Sequence, residues 1–175
     1  VVEFYLSATD APGNARTWPA PAIAAVDGTG PTGQVANALF QVDDTFYDGS
    51  QPLYRLIMTE SERAELAIIP SESTSEHPNS QMNGTFVSFD GTGHEARYLI
   101  GIRNRGHGSR RANPPNYRVN FRTDDPWKNL TALNLNSVQV YVQHFGSWLA
   151  LKSGAAGSYS RPIQLRVNNV NRAVP

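Results

Sequence analysis

No cysteine occurs in the 175 residues, which excludes a disulfide-stapled scaffold and any thiolate metal site while leaving the compartment open. Long apolar runs are missing too: none approaches the ~20 residues needed to cross a bilayer as a helix, so no membrane span is expected. A charge excess of either sign is also lacking. Fifteen basic and fifteen acidic side chains cancel, and no global field steers the chain toward nucleic acid or an anionic membrane. There is no Gly-Lys-Ser or Gly-Lys-Thr of a P-loop, no Gly-x-Ser-x-Gly elbow and no His-x-x-x-His pair. The four histidines, His77, His94, His107 and His144, are scattered, and His144 reads as a partly buried, satisfied side chain. Asp43, Asp44 and Asp48 lack the alternation of a calcium loop and read as a solvated turn.

What is present centres on Arg97 to Arg122, where seven arginines meet no acid. Arg97-Tyr98-Leu99-Ile100-Gly101-Ile102-Arg103-Asn104-Arg105 alternates arginines with Tyr98, Ile100 and Ile102, the period-two pattern of a half-buried strand with the arginines outward. Tyr117 to Arg122 repeats the alternation. The intervening stretch, Gly106 to Asn116, is too long for a tight turn and carries two prolines that forbid ladder pairing. Two readings of it stand. In one, Gly106 and Gly108 take positive φ and turn backbone N–H groups toward an anion, Ser109 offers a hydroxyl, and Arg103, Arg105, Arg110 and Arg111 supply charge. In the other, the arginines are a solvated face and the glycines let a long hairpin bend.

The remaining elements follow in order. Val1 to Ala8 and Ala15 to Trp18 flank a strong turn, Thr9 to Asn14, and resemble the closing hairpin of an immunoglobulin-like or fibronectin-like module. Pro19 to Gly33 is rich in Pro, Ala and Gly and reads as a linker. The expected domains are therefore 1–33, hairpin plus linker, and 34–175. Gln34 to Val42 fits neither period cleanly, whereas Pro52 to Met58 reads as a buried strand. Thr59-Glu60-Ser61-Glu62 is a capping box that opens a short helix. Pro70 to Asn79 is a polar loop. Thr85 to Phe89 and the arginine-bearing strand form a hairpin around Asp90-Gly91-Thr92-Gly93. Leu130 to Leu135 is a short strand or extended segment. Ser137 is placed to cap a substantial helix whose Tyr141, Val142, Phe145, Trp148 and Leu149 form an apolar stripe, expected to pack on the sheet. Pro162 to Asn168 is a last strand. The fold class expected is α+β, a mainly antiparallel sheet with one substantial and one short α-helix.

Several of these segments together resemble the spore-coat protein H (CotH) kinase family. They are Leu53 to Met58 before an acidic helix, Gly101-Ile102-Arg103-Asn104-Arg105-Gly106-His107-Gly108-Ser109-Arg110, Asn116 to Phe121, Leu133-Asn134-Leu135-Asn136 with its helix, and Ile163 to Asn168. The match in order and spacing covers about Pro52 to Asn169. The resemblance implies the N-terminal lobe of an atypical secreted kinase, bacterial and extracellular or cell-surface, which binds ATP with Mg and acts on a secreted protein substrate. It also implies cofactor contacts from Arg103, Arg105, Gly106, Gly108, Ser109, Arg110 and Arg118. Two departures stand out. Pro114-Pro115-Asn116 replaces the lysines usual before the second-arm tyrosine. The family's metal-binding and catalytic aspartates follow the strand matched by Ile163 to Asn168, so no catalytic or metal residue is assigned here. The chain opens without Met on a strand already in progress, and the expectation is an incomplete lobe whose partner is the remainder of a parent chain, exposing an apolar surface near Ile163 to Val167. The competing class is a non-enzymatic β-rich binding module of a large extracellular protein, with Trp18, Tyr47, Trp127 and Tyr159 lining a sugar-binding surface.

Overall fold

The computed structural model describes residues 1–19, 36–69, 79–106 and 108–172. The linker expected at 19–33 and the polar loop at 70–79 therefore lie almost wholly outside the described residues. The architecture is α+β. Its centre is a curled seven-stranded sheet ordered β11-β10-β5-β6-β7-β8-β9. These strands are β5 (Leu53–Ile57), β6 (Met82–Phe89), β7 (His94–Asn104), β8 (Tyr117–Asn120), β9 (Ala132–Leu135), β10 (Gln164–Val167) and β11 (Val170–Asn171). All ladders are antiparallel except β5 with β10. Ahead of the sheet come β1 (Val2–Phe4), β2 (Leu6–Thr9), β3 (Ala15–Trp18) and β4 (Ala38–Phe40). β2 and β3 form the expected hairpin, and β1 pairs with β4.

The main core lies on the face carrying Tyr54, Leu56, Phe86, Ile100, Ile102, Val119, Leu165 and Val167. Trp127 closes it, its Nε1 donating to Ser88 Oγ at 3.0 Å and its rings meeting Tyr54 and Phe86 edge-on. Leu66 of helix α1 (Glu60–Ile68) covers one end. The helix begins where the capping box required: Thr59 Oγ1 accepts from Glu62 N, and Glu62 Oε2 accepts from Thr59 N. On the opposite face, β4 is tied down by Thr85 Oγ1 donating to Leu39 O at 2.7 Å and Asn83 Nδ2 to Asn37 O at 2.9 Å. Asp43 is pinned there as well. Its side chain is 3% exposed and meets Arg55 at 2.6 Å, so the solvated turn expected at Asp43 is corrected to a buried ion pair.

The alternation expected along β7 breaks at Leu99, which has φ 54°. Gly84 faces Ile100 but Phe86 faces Arg97, so Thr85 stands against two residues, a bulge. One extra residue reverses the sides of everything before it. Tyr98 therefore leaves the face of Ile100 and Ile102 and meets the rings of Phe4 and Trp18 at 5.8 and 5.7 Å. Arg97, expected outward, turns to the Phe86 side, where its Nε donates to Pro126 O and it pairs with Glu95 and Asp125.

Helix α2 (Val140–Lys152) forms, but no residue of it is buried. Tyr141, Val142 and Phe145 are 69%, 69% and 60% exposed, and Trp148 and Leu149 are about half exposed, so the expected packing of this stripe on the sheet is corrected. Ser137 does not cap it. The N-cap is Gln139 in a left-handed conformation, because the buried Ser137 is already committed: its N–H donates to Asn116 Oδ1 at 2.7 Å and its Oγ to Pro114 O at 2.6 Å. The apolar surface expected near Ile163 to Val167 is likewise elsewhere. Leu165 and Val167 are buried, since β10 lies against β5, and the exposed apolar face belongs to α2.

Candidate anion-binding site

Register brings the basic residues together. Arg103 on β7 stands directly opposite Arg118 on β8, which stands opposite Asn134 on β9. Two like charges in direct cross-strand contact are destabilising unless something offsets them. Among the described residues no carboxylate does so. Arg103 Nη1 donates to Asn79 Oδ1 at 2.9 Å, Arg118 Nε to Asn120 Oδ1 at 2.9 Å, and Arg105 Nη1 to Asn136 Oδ1 at 2.7 Å. Neutral amides thus orient the guanidiniums without cancelling their charge. Burial first, then the charges of Arg118, Arg110 and Arg105, pull the Arg103 guanidinium below its ordinary pKa, so Arg103 stands within electrostatic reach of the other three.

The loop above them is built, not free. Gly108–Arg111 forms one 3-10 turn, Arg105 N donates to Asn116 O at 2.9 Å, and Arg110 Nε donates back to Gly106 O at 3.1 Å. Gly106 has φ 108°, a conformation that favours glycine, and a Cβ on it would sit 2.2 Å from Ser109 Oγ and displace that hydroxyl. Asn116, in the tripeptide where the resemblance leads one to expect lysines, is buried and serves structure: it receives Ser137 N and so joins the loop to the chain before α2.

Of the residues singled out for cofactor contact, Arg103, Arg105, Arg110 and Arg118 are gathered, with Gly106, Gly108 and Ser109 at the same end of β7 and β8. The aromatic residues considered for a sugar surface are not gathered. Trp127 is buried in the core, Trp18 packs on Phe4 and Tyr98, Tyr47 donates to Gln51 O, and only Tyr159 is fully open to solvent. His144 is half-buried against Ser160 Oγ at 3.0 Å. Among the described residues no three His, Asp or Glu side chains gather in a way that could hold a metal ion. The arginine set offers charge-assisted donors to an anionic group. Sequence reasoning assigned no site role to Asn79, Asn120, Asn134 and Asn136, which orient the arginines, although Asn134 and Asn136 belong to a segment that carries the family resemblance. For Asn120, Asn134 and Asn136 the signal was a polar side chain at the outward position of a strand or just beyond it, whereas Asn79 lies in the loop before β6.

Fold and site together define an α+β, mainly antiparallel protein with an acid-free arginine cluster, among the described residues, at the end of its central hairpin. No known family model matches the chain, and no curated protein matches it significantly.

Proposed function

We propose that this chain is a nucleotide-phosphate-binding lobe of a kinase-like protein resembling the CotH family. The single observation that carries the reading is the cross-strand Arg103–Arg118 pair, joined by Arg105 and Arg110 and oriented only by neutral amides. A di- or triphosphate would relieve this repulsion, each charge-assisted hydrogen bond contributing about 1.5–3 kcal/mol. Bound ATP with Mg would supply the transferable phosphoryl group. The chain's own residues would hold and orient its phosphates, and Ser109 would add a hydroxyl beside them. On this reading the metal ligands and the base come from a second lobe, the setting is extracellular or cell-surface, and the acceptor is a secreted protein.

Titration with ATP, followed through the amide signals of Gly106, Gly108 and Ser109, tests the reading. Affinity is expected on the order of millimolar, about −4 kcal/mol, with a tenfold or greater loss in Arg118→Ala. Unmoved amides at 10-fold excess over a millimolar Kd would sink it. A second reading, a non-enzymatic interaction module, is favoured by one observation: the open apolar face of α2. It predicts that Phe145→Glu abolishes partner capture while ATP has no effect.

A further inference from the structure

A separate cleft lies behind the loop, on the core side of the sheet. It holds about 510 Å³ between α1 and the segment 110–115, with Arg63, Arg110, Arg111 and Arg172 around it and Leu66 and Tyr117 on its wall. Asn104 and Tyr117, which line it, pair across β7 and β8, whereas Arg103 and Arg118 form the next pair and so point to the other face of the sheet. The two basic surfaces are therefore distinct, with Arg110 at their border.

Two features distinguish this cleft from a solvated basic surface. Arg172 Nε is buried and has no hydrogen-bond partner among the described residues, which costs free energy unless a ligand or partner supplies an acceptor. Arg63 and Arg172 line the cleft together with the buried Tyr117, although the two arginines come from α1 and from the segment after β11. Arg63 is also bound by Glu60, and no carboxylate among the described residues lines the cleft itself. The volume falls within the ~300–1,000 Å³ of small-molecule pockets, too large for a lone inorganic ion.

We propose that this cleft is a binding site for a small organic polyanion: two or more oxyanion groups on a compact carbon body, the oxyanions on Arg63, Arg172 and Arg111 and the body against Leu66 and Tyr117. Carboxylate and phosphate groups share this chemistry, so citrate and glycerol 2,3-bisphosphate serve as separate probes.

Calorimetric titration of the full 175-residue chain with each probe is the test. Saturable binding by at least one is expected, weakened tenfold or more in Arg172→Met and unchanged in Arg118→Ala. Ala67→Trp, which fills the cleft from the solvent-exposed side of α1, is expected to abolish it while the thermal midpoint stays near that of the parent, keeping the test independent of any folding defect in Arg172→Met. Absence of saturable heat with both probes overturns the proposal, as does binding that survives Ala67→Trp or is lost in Arg118→Ala. The ATP titration reads the other face, so either site can fail alone.

Discussion

Replacing Asp90 by Ala should cost more than removing a charge from an exposed surface pair. Its carboxylate side chain is 2% exposed and receives Lys128 Nζ, Arg161 Nη2 at 3.0 Å, Thr92 Oγ1 at 2.7 Å and Thr92 N at 3.2 Å. It thereby ties the β6–β7 turn to the Trp127–Leu130 turn and to the segment entering β10. Removing one member of a buried pair typically costs 3–5 kcal/mol, but Lys128 and Arg161 are 32% and 46% exposed and regain water, so about 2–3 kcal/mol is expected. Burial pushes the Asp90 carboxyl up, yet hydrogen bonds from Lys128, Thr92 and Arg161 outweigh it and hold the group well below the carboxylate range. A depressed folded-state pKa stabilises above the unfolded value of ~4 and is lost as pH falls through the folded one. The difference between parent and variant should shrink by about 1.4 kcal/mol for each pH unit below ~4. Urea melts followed by tryptophan fluorescence at pH 7, 4 and 3 measure this. A difference under ~0.5 kcal/mol at pH 7, the size of a surface pair, or one that does not change with pH, refutes the reasoning.

Other perturbations separate core from surface. Phe86→Ala should lose about 3–5 kcal/mol, whereas Phe145→Ala, on the open face of α2, should stay within about 0.5 kcal/mol in the same melts. Trp148→Lys should lower binding of an apolar-surface dye without lowering the thermal midpoint. Thr59→Ala removes the capping box and should cost about 1 kcal/mol, seen as a lower urea midpoint. Gly106→Ala should be destabilising because the new Cβ meets Ser109 Oγ at positive φ, and its amide spectrum should change at the loop first.

Much of the local structure was legible in the sequence because short-range chemistry determines it. The Thr59–Glu62 box, the Asp90–Gly93 turn, the β2–β3 hairpin and the alternation of Leu165 and Val167 each depend on neighbours a few residues away. Seven arginines without an acid between Arg97 and Arg122 marked the basic site, and the pairing of two adjacent strands was enough to bring Arg103 against Arg118. Three things depended on tertiary structure. A single bulge at Leu99 decided which face Arg97 and Tyr98 serve, because a period of two carries no memory of phase across an inserted residue. An amphipathic stripe announces that a helix can bury a face but not what covers it, and α2 leaves its stripe open. The second cleft joins Arg63 of α1 to Arg172 after β11, residues 109 positions apart by their numbers, and only the parallel β5–β10 ladder, formed by a long crossover, brings those segments to one place.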